Sequence, residues 1–285
     1  MLATRIAPKL SLTREEILRE GQALPAAPQV LGGLCELLED VNTNAYQVAE
    51  LIRMDPALAA RVLRLSNSVM FRGGLTVSSI EEAVTRIGLA EMTRLVGTAT
   101  VAGLFDRTLV VYRIAAEKLR ESLLMHALAS EALARCTNLD PRSAYAGGLL
   151  RAVGMMVLDR VARERIAPEE YFDAKRYGTY PDWELSHFGV TSPELTAILL
   201  DEWHFPAELV SAMDQHTQPA GNPLALVLNL AGAVVAAHRR ALPGDTAHWV
   251  LTPEKLSGLD LDENALRIAC EQARAAFERH REALY

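Results

Sequence analysis

The chain is poor in cysteine. Cys35, Cys136 and Cys270 are the only three in 285 residues, widely separated and without a CxxC pair. That spacing gives no sign of a disulfide framework or a zinc knuckle, and predicts reduced, buried thiols in a cytoplasmic protein. An excess of positive charge is also missing. Lys and Arg number 29 against 36 Asp and Glu, a formal net charge of −7. Duplex DNA and anionic membranes recruit clustered cations, so neither nucleic acid nor a membrane is the expected partner. The longest apolar run, Leu224 to Ala237, is shorter than the roughly 20 residues a membrane span requires and reads as a buried helix. Residues 1–12 hold no apolar core followed by a small-residue cleavage site, so export is not expected. Alternating strand patterns, a repeat of fixed period, low-complexity linkers and the motifs GxGxxG, Walker A, HExxH and GxSxG are all absent.

What is present is helical periodicity. Half of the residues are hydrophobic and 23% are charged, which is enough to build a packed core. Apolar positions recur at three and four residues, which predicts an all-α fold. Thr13-Arg14-Glu15-Glu16 reads as a capping box opening a helix over about 14–22. Leu24-Pro25-Ala26-Ala27-Pro28 then forms an extended connector, because each proline disfavours helix in the residue before it. A helix over about 28–40 follows.

Asp55 is a suitable N-cap and Pro56 a suitable first helical residue, with Leu58, Val62, Leu65 and Val69 along one face. Ser78 or Ser79, with Glu81 or Glu82, caps the next helix, and Gly88 stops it. Gly73-Gly74 reads as a turn. Further helices are predicted from Leu89 to Leu104, over about 109–136, as a pair within 141–162 joined near Gly154, and over about 168–177. Others run from Ser192 to about Trp203, from Pro206 to about His216, over 224–240 and over 262–282. On the last, Glu263, Arg267, Glu271, Arg274 and Glu278 form a solvated stripe of i,i+4 pairs.

Several short segments occur in one order. They are the Leu24–Pro28 connector, the Asp55-Pro56 helix ending in Asn67-Ser68, and Ser79 to Leu89 with Gly88. Later come Ala146-Gly147-Gly148-Leu149-Leu150, then Phe188-Gly189, Trp203, Pro206 and His216. Together they resemble the HDOD family, bacterial signalling domains related to HD-type metal hydrolases. The resemblance covers about 22–220 and implies a multi-helical HDOD fold, with an N-terminal helical lobe packed on an HD-like C-terminal helical lobe. It divides the chain into an N-terminal arm (1–21), an HDOD domain (22–220, with lobes about 22–106 and 107–220) and C-terminal helices (221–285) that complete the second lobe. Asp55, Pro56, Asn67, Ser68, Gly88, Gly148 and Trp203 are the family positions expected to act mainly through structure.

The resemblance also sets a chemical test. HD hydrolases hold metal through a His on one helix, a His-Asp pair on a second and an Asp on a third. Imidazole and carboxylate suit a divalent ion, which then makes bound water nucleophilic. His126 matches the first ligand and shares an inward stripe with Leu119, Leu123, Ser130 and Leu133. The His-Asp pair is replaced by Arg151-Ala152, and the last Asp by Gly232 in Leu230-Ala231-Gly232. Asp159, Asp201 and Asp214 do not have the spacing to stand in. No catalytic residue, metal ligand or cofactor is therefore expected.

His126, Arg151 and His216 remain as a candidate vestigial pocket. Arg151 pairs with an internal acid, reaches solvent, or offers its guanidinium to a phosphate or carboxylate, as in a small anionic or nucleotide ligand. Gly147 and Gly148 allow close approach of a helix or a ligand. The resemblance implies a non-catalytic regulatory module that contacts another signalling protein, with possible links to cyclic-di-GMP signalling, motility or stress response. The alternative is an HD-type phosphohydrolase or nucleotide phosphodiesterase with an atypical site.

Overall fold

The computed structural model of the protein describes residues 10–24, 27–37, 40, 42–67 and 76–281. Among these the architecture is all-α, with a single isolated bridge between Leu109 and Ile114. Among the described residues no helix is long and apolar enough to cross a membrane.

The first lobe is built from α2 (Ala27–Leu37), α3 (Ala45–Arg53), α4 (Pro56–Ser66), α5 (Ile80–Ile87) and α6 (Leu89–Leu104). Its helix starts follow local chemistry. The Asp55 carboxylate accepts from Ala57 N and Leu58 N at 2.9 and 3.0 Å, with Pro56 in the first turn. Asn67 then clamps the chain, donating to Val77 O at 2.9 Å and accepting from Val77 N at 2.7 Å. Ser79 caps α5 through Glu82 N, while the Glu82 carboxylate reaches Ser78. Gly88, at φ +86°, is the single residue between the end of α5 and the start of α6. Ser68, Val69, Pro25 and Gly73-Gly74 lie outside the described residues.

The second lobe centres on α7 (Ala116–Ala134), which carries His126 and has α8 (Pro141–Leu150), α14 (Pro223–Ala237) and α16 (Glu263–His280) packed around it. α9 (Val153–Arg165), α12 (Ser192–Glu202) and α13 (Ala207–Gln215) complete the wall. Smaller pieces are α10 (Ala174–Tyr177), α11 (Tyr180–Phe188) and α15 (Pro253–Ser257). The arm helix α1 (Arg14–Gln22), which opens with the expected capping box, docks on the second lobe against α9 and α12. Leu10 N donates to His187 O at 2.7 Å, and Glu16 and Glu20 pair with Arg165 and Arg160.

Several expectations are corrected. The helix expected over 109–136 begins only at Ala116, because residues 109–114 fold into the bridge and a turn with Arg113 at φ 56°. The break expected near Gly154 falls at Arg151-Ala152, so Arg151 caps α8. The 168–177 helix is a 3-10 turn, Pro168–Glu170, plus the single-turn α10. Cys136 is exposed and Cys270 half-buried rather than both being sealed in the core. The side chain of Cys35 is outside the described set.

Candidate functional site

α7, α8 and α14 converge on a common interior. Gly148 permits this: a Cβ there would lie 2.5 Å from Ala127 Cα and 2.9 Å from the carbonyl carbon of His126. No ordinary side chain fits that gap, so α8 lies directly on the turn that bears His126. The small residue thus serves a helix rather than a ligand.

The three pocket residues are all brought inside, at 0% exposure for His126, 2% for Arg151 and 1% for His216. His126 Nε2 lies 2.8 Å from Leu228 O on α14. A carbonyl only accepts, so Nε2 carries the proton and Nδ1 is left as a lone pair. Burial, and next the Arg151 cation, push His126 well below the usual imidazole range. His216 Nδ1 donates to Met213 O at 2.7 Å, and burial lowers its pKa to about 4. Both rings are neutral near pH 7.

Arg151 does not present a free guanidinium. Nη2 donates to Asp245 Oδ2 at 2.9 Å and Nη1 to Oδ1 at 3.4 Å, with the two side chains 1% and 0% exposed. Tyr180 OH donates to the same carboxylate at 2.6 Å, and Leu242 N does so at 3.1 Å. Ser122, one turn before His126, lies 3.4 Å from Nη2. Burial opposes the arginine charge, but the Asp245 carboxylate overrides it and holds the guanidinium protonated. The fork that could have gripped a phosphate is occupied by an internal acid.

The centre of the site is a residue that the sequence reading did not single out. Trp249 is 4% exposed and lies among the three pocket residues. Its ring centroid is 5.6 Å from His126, 5.9 Å from His216, nearly parallel, and 5.7 Å from the Arg151 guanidinium carbon. His248 is 6.0 Å away. The indole rests against Gly232, where a Cβ would fall 2.3 Å from Cδ2. At Gly232, where the resemblance places a hydrolase's last Asp, the indole leaves no room even for a methyl group.

The segment that delivers Asp245 and Trp249 is stitched in place by Asn229 of α14. Its amide donates to His216 O at 2.8 Å and His248 O at 3.2 Å, while Lys255 Nζ donates to Asn229 Oδ1 at 2.7 Å and Val250 O at 2.7 Å. Periodicity could not reveal this segment, since residues 238–252 form no helix. The one available signal was a tryptophan beside a histidine close after the Gly232 helix.

This donor set does not fit a divalent ion. His126 Nε2 is committed to a carbonyl, a guanidinium stands beside it, and the indole occupies the space over Gly232. Among the described residues no group of three or more His, Cys, Asp or Glu is arranged to hold a metal. The other family positions act through backbone and packing. Trp203 is half-buried at the end of α12, and Asp55, Pro56, Asn67 and Gly88 shape the first lobe.

The architecture is that of an HD-related helical output domain. The HDOD domain family matches residues 24–219, more than half of the chain, and the protein belongs to that family. Among solved structures the chain is similar to an HDOD domain protein of unknown function from Geobacter sulfurreducens, with TM-score 0.66, 19% identity, and 95% of this chain and 98% of that one covered. A candidate phosphohydrolase from Shewanella amazonensis aligns with TM-score 0.65 at 21% identity over 95% and 98% of the two chains. A candidate signal transduction protein from Marinobacter aquaeolei aligns with TM-score 0.66 at 20% identity over 99% of this chain and 62% of that one. At these identities the likeness establishes the fold. No curated protein matches the chain.

Proposed function

We propose that the protein is a non-catalytic, cytoplasmic bacterial signalling module that acts by contacting another protein. The observation that carries this reading is the Trp249 indole seated over Gly232, beside an Arg151–Asp245 ion pair, where an HD hydrolase would hold its ion. Hydrolysis at this position needs a site that binds a metal and admits a substrate. Here an aromatic ring and a buried salt bridge take the space. Family membership supports the signalling role, and a link to cyclic-di-GMP, motility or stress response is the finer form of the same proposal.

The test has two arms. Purified protein is incubated with Mn²⁺, Fe²⁺ or Zn²⁺, and bound metal, thermal stability and hydrolysis of a model phosphodiester are measured. The expected result is no stoichiometric metal, no midpoint shift and no turnover. Affinity capture from the native bacterium, compared with a variant carrying altered surface charges, is expected to return a specific partner. Stoichiometric metal with turnover would replace this reading with the hydrolase one.

A further inference from the structure

The interior around Trp249 contains more polar atoms than its protein partners satisfy. Four side-chain nitrogens there are buried without a protein hydrogen bond: His126 Nδ1, Arg151 Nε, His248 Nε2 and Trp249 Nε1. They come from three stretches of chain, α7, the end of α8 and the segment after α14, and all belong to the cluster centred on one indole. Buried polar atoms in folded proteins nearly always have a partner, ordered water included, so four on side chains packed about one indole call for one.

Their donor and acceptor roles restrict what that participant can be. Arg151 Nε and Trp249 Nε1 can only donate. His126 Nδ1 can only accept, because Nε2 has committed its proton to Leu228 O. His248 Nε2 can take either role. An anion would meet the His126 lone pair in a place where Asp245 has already neutralised Arg151. A cation would meet the guanidinium. A neutral molecule that accepts from two N–H groups and donates to one or two ring nitrogens matches the set. The Gly232 contact uses Cδ2, Cε3 and Cγ of the indole, so the N–H edge is not the one pressed against α14.

Resting on the metal-free reading above, we propose that the interior around Trp249 is a binding site for resident water. One or two buried molecules bridge His126 Nδ1 to the N–H groups of Arg151 and Trp249. Water has two donor and two acceptor positions, and buried waters typically make about three hydrogen bonds to groups of this kind. The family's ion is then succeeded by three parts: an ion pair that neutralises charge, an indole that fills volume, and water that completes the hydrogen bonds.

A high-resolution crystal structure of the full chain tests this, with an anomalous-scattering map from the same crystals and water-contact NMR on the Trp249 indole N–H in solution. The expected result is ordered, non-anomalous density within hydrogen-bond distance of His126 Nδ1 and at least one of the two N–H groups, with a long-lived water contact at the indole proton. W249F keeps an aromatic ring in place but removes the donor, and is expected to lose or displace that density. Dry density with no water contact overturns the inference and leaves the proposed function standing. So does a direct bond between the four nitrogens. An anomalous peak for a transition metal overturns both.

Discussion

Two charged regions flank the same helix, and they differ chiefly in their access to water. Inside, Arg151 and Asp245 are 1% and 0% exposed and share one carboxylate with Tyr180. On the other side of α7, Arg94 grips Glu131 through Nε and Nη2 at 3.1 and 3.0 Å and reaches Glu91 at 2.6 Å. Glu91 meets His280 of α16 at 2.7 Å, and Arg135 joins Glu131. This seam ties α6, α7 and α16 together, yet Arg94, Glu91 and Glu131 keep 19, 23 and 11% of their side-chain surface exposed. Water can take the place of a lost partner at Arg94, Glu91 or Glu131, although His280 is itself 1% exposed. In the interior nothing can, so losing a partner there leaves a bare charge in an apolar medium.

Breaking the interior pair should therefore have the largest effect. Arg151→Met leaves Asp245 buried and is expected to cost about 3–5 kcal/mol in denaturant unfolding. Adding Asp245→Leu should recover most of that loss, because two apolar residues need no compensation. An unchanged stability in Arg151→Met would show that the pair is not what balances the interior. Trp249→Ala should cost a similar amount, about 3–5 kcal/mol, by opening a cavity over Gly232. Reinstating the lost acid with Gly232→Asp should also destabilise the protein and restore no metal binding, since its Cβ would meet the indole at 2.3 Å. Calorimetric titration with Mn²⁺ checks the second half.

Acid should distinguish the regions next. His216 is lowered by burial to about 4, so the unfolded chain takes up its proton first as pH falls. That contribution to stability is complete above about pH 6.5 and declines from there to about pH 4. In the seam, the His280 bond is the first cause that pulls Glu91 down to about 2, against opposition from burial. Its contribution is present above the ordinary carboxylate value and is lost only between about pH 4.5 and 2. Unfolding midpoints across pH should show two separate declines. His216→Gln should shrink the upper one, to which buried His126 also contributes, and Glu91→Gln should shrink the lower one. The smallest effect belongs to Glu131→Gln, expected at about 1 kcal/mol or less because the seam is partly solvated. A cost as large as that of Arg151→Met would erase the distinction between the regions.

The fold was legible in the sequence wherever its determinants are local. Asp55-Pro56, Thr13 with Glu16, and Gly88 declare helix ends through their own chemistry, and the structure uses each accordingly. α3, α11 and α15 escaped notice because they are short and their stability comes from what they pack against. The candidate site was half legible. His126, Arg151 and His216 do meet, and an internal acid is one of the three fates open to Arg151 from the sequence. Its identity was not legible, because Asp245 stands 94 residues away in an irregular segment with no periodicity to place it. Trp249 was hidden for the same reason. The seam residues carry no motif of their own and come together only because α16 lies across α7.

The matched span ends at residue 219, and Asp245 and Trp249, which close the interior around Arg151, lie beyond it. The arm that seats Gly21 against Leu199 lies before it. A fragment cut to the recognisable domain boundaries would strand an arginine in oil, uncover a histidine-lined hollow and bare an apolar seam on its flank. For this protein, the part that identifies the lineage is not the part that can stand alone.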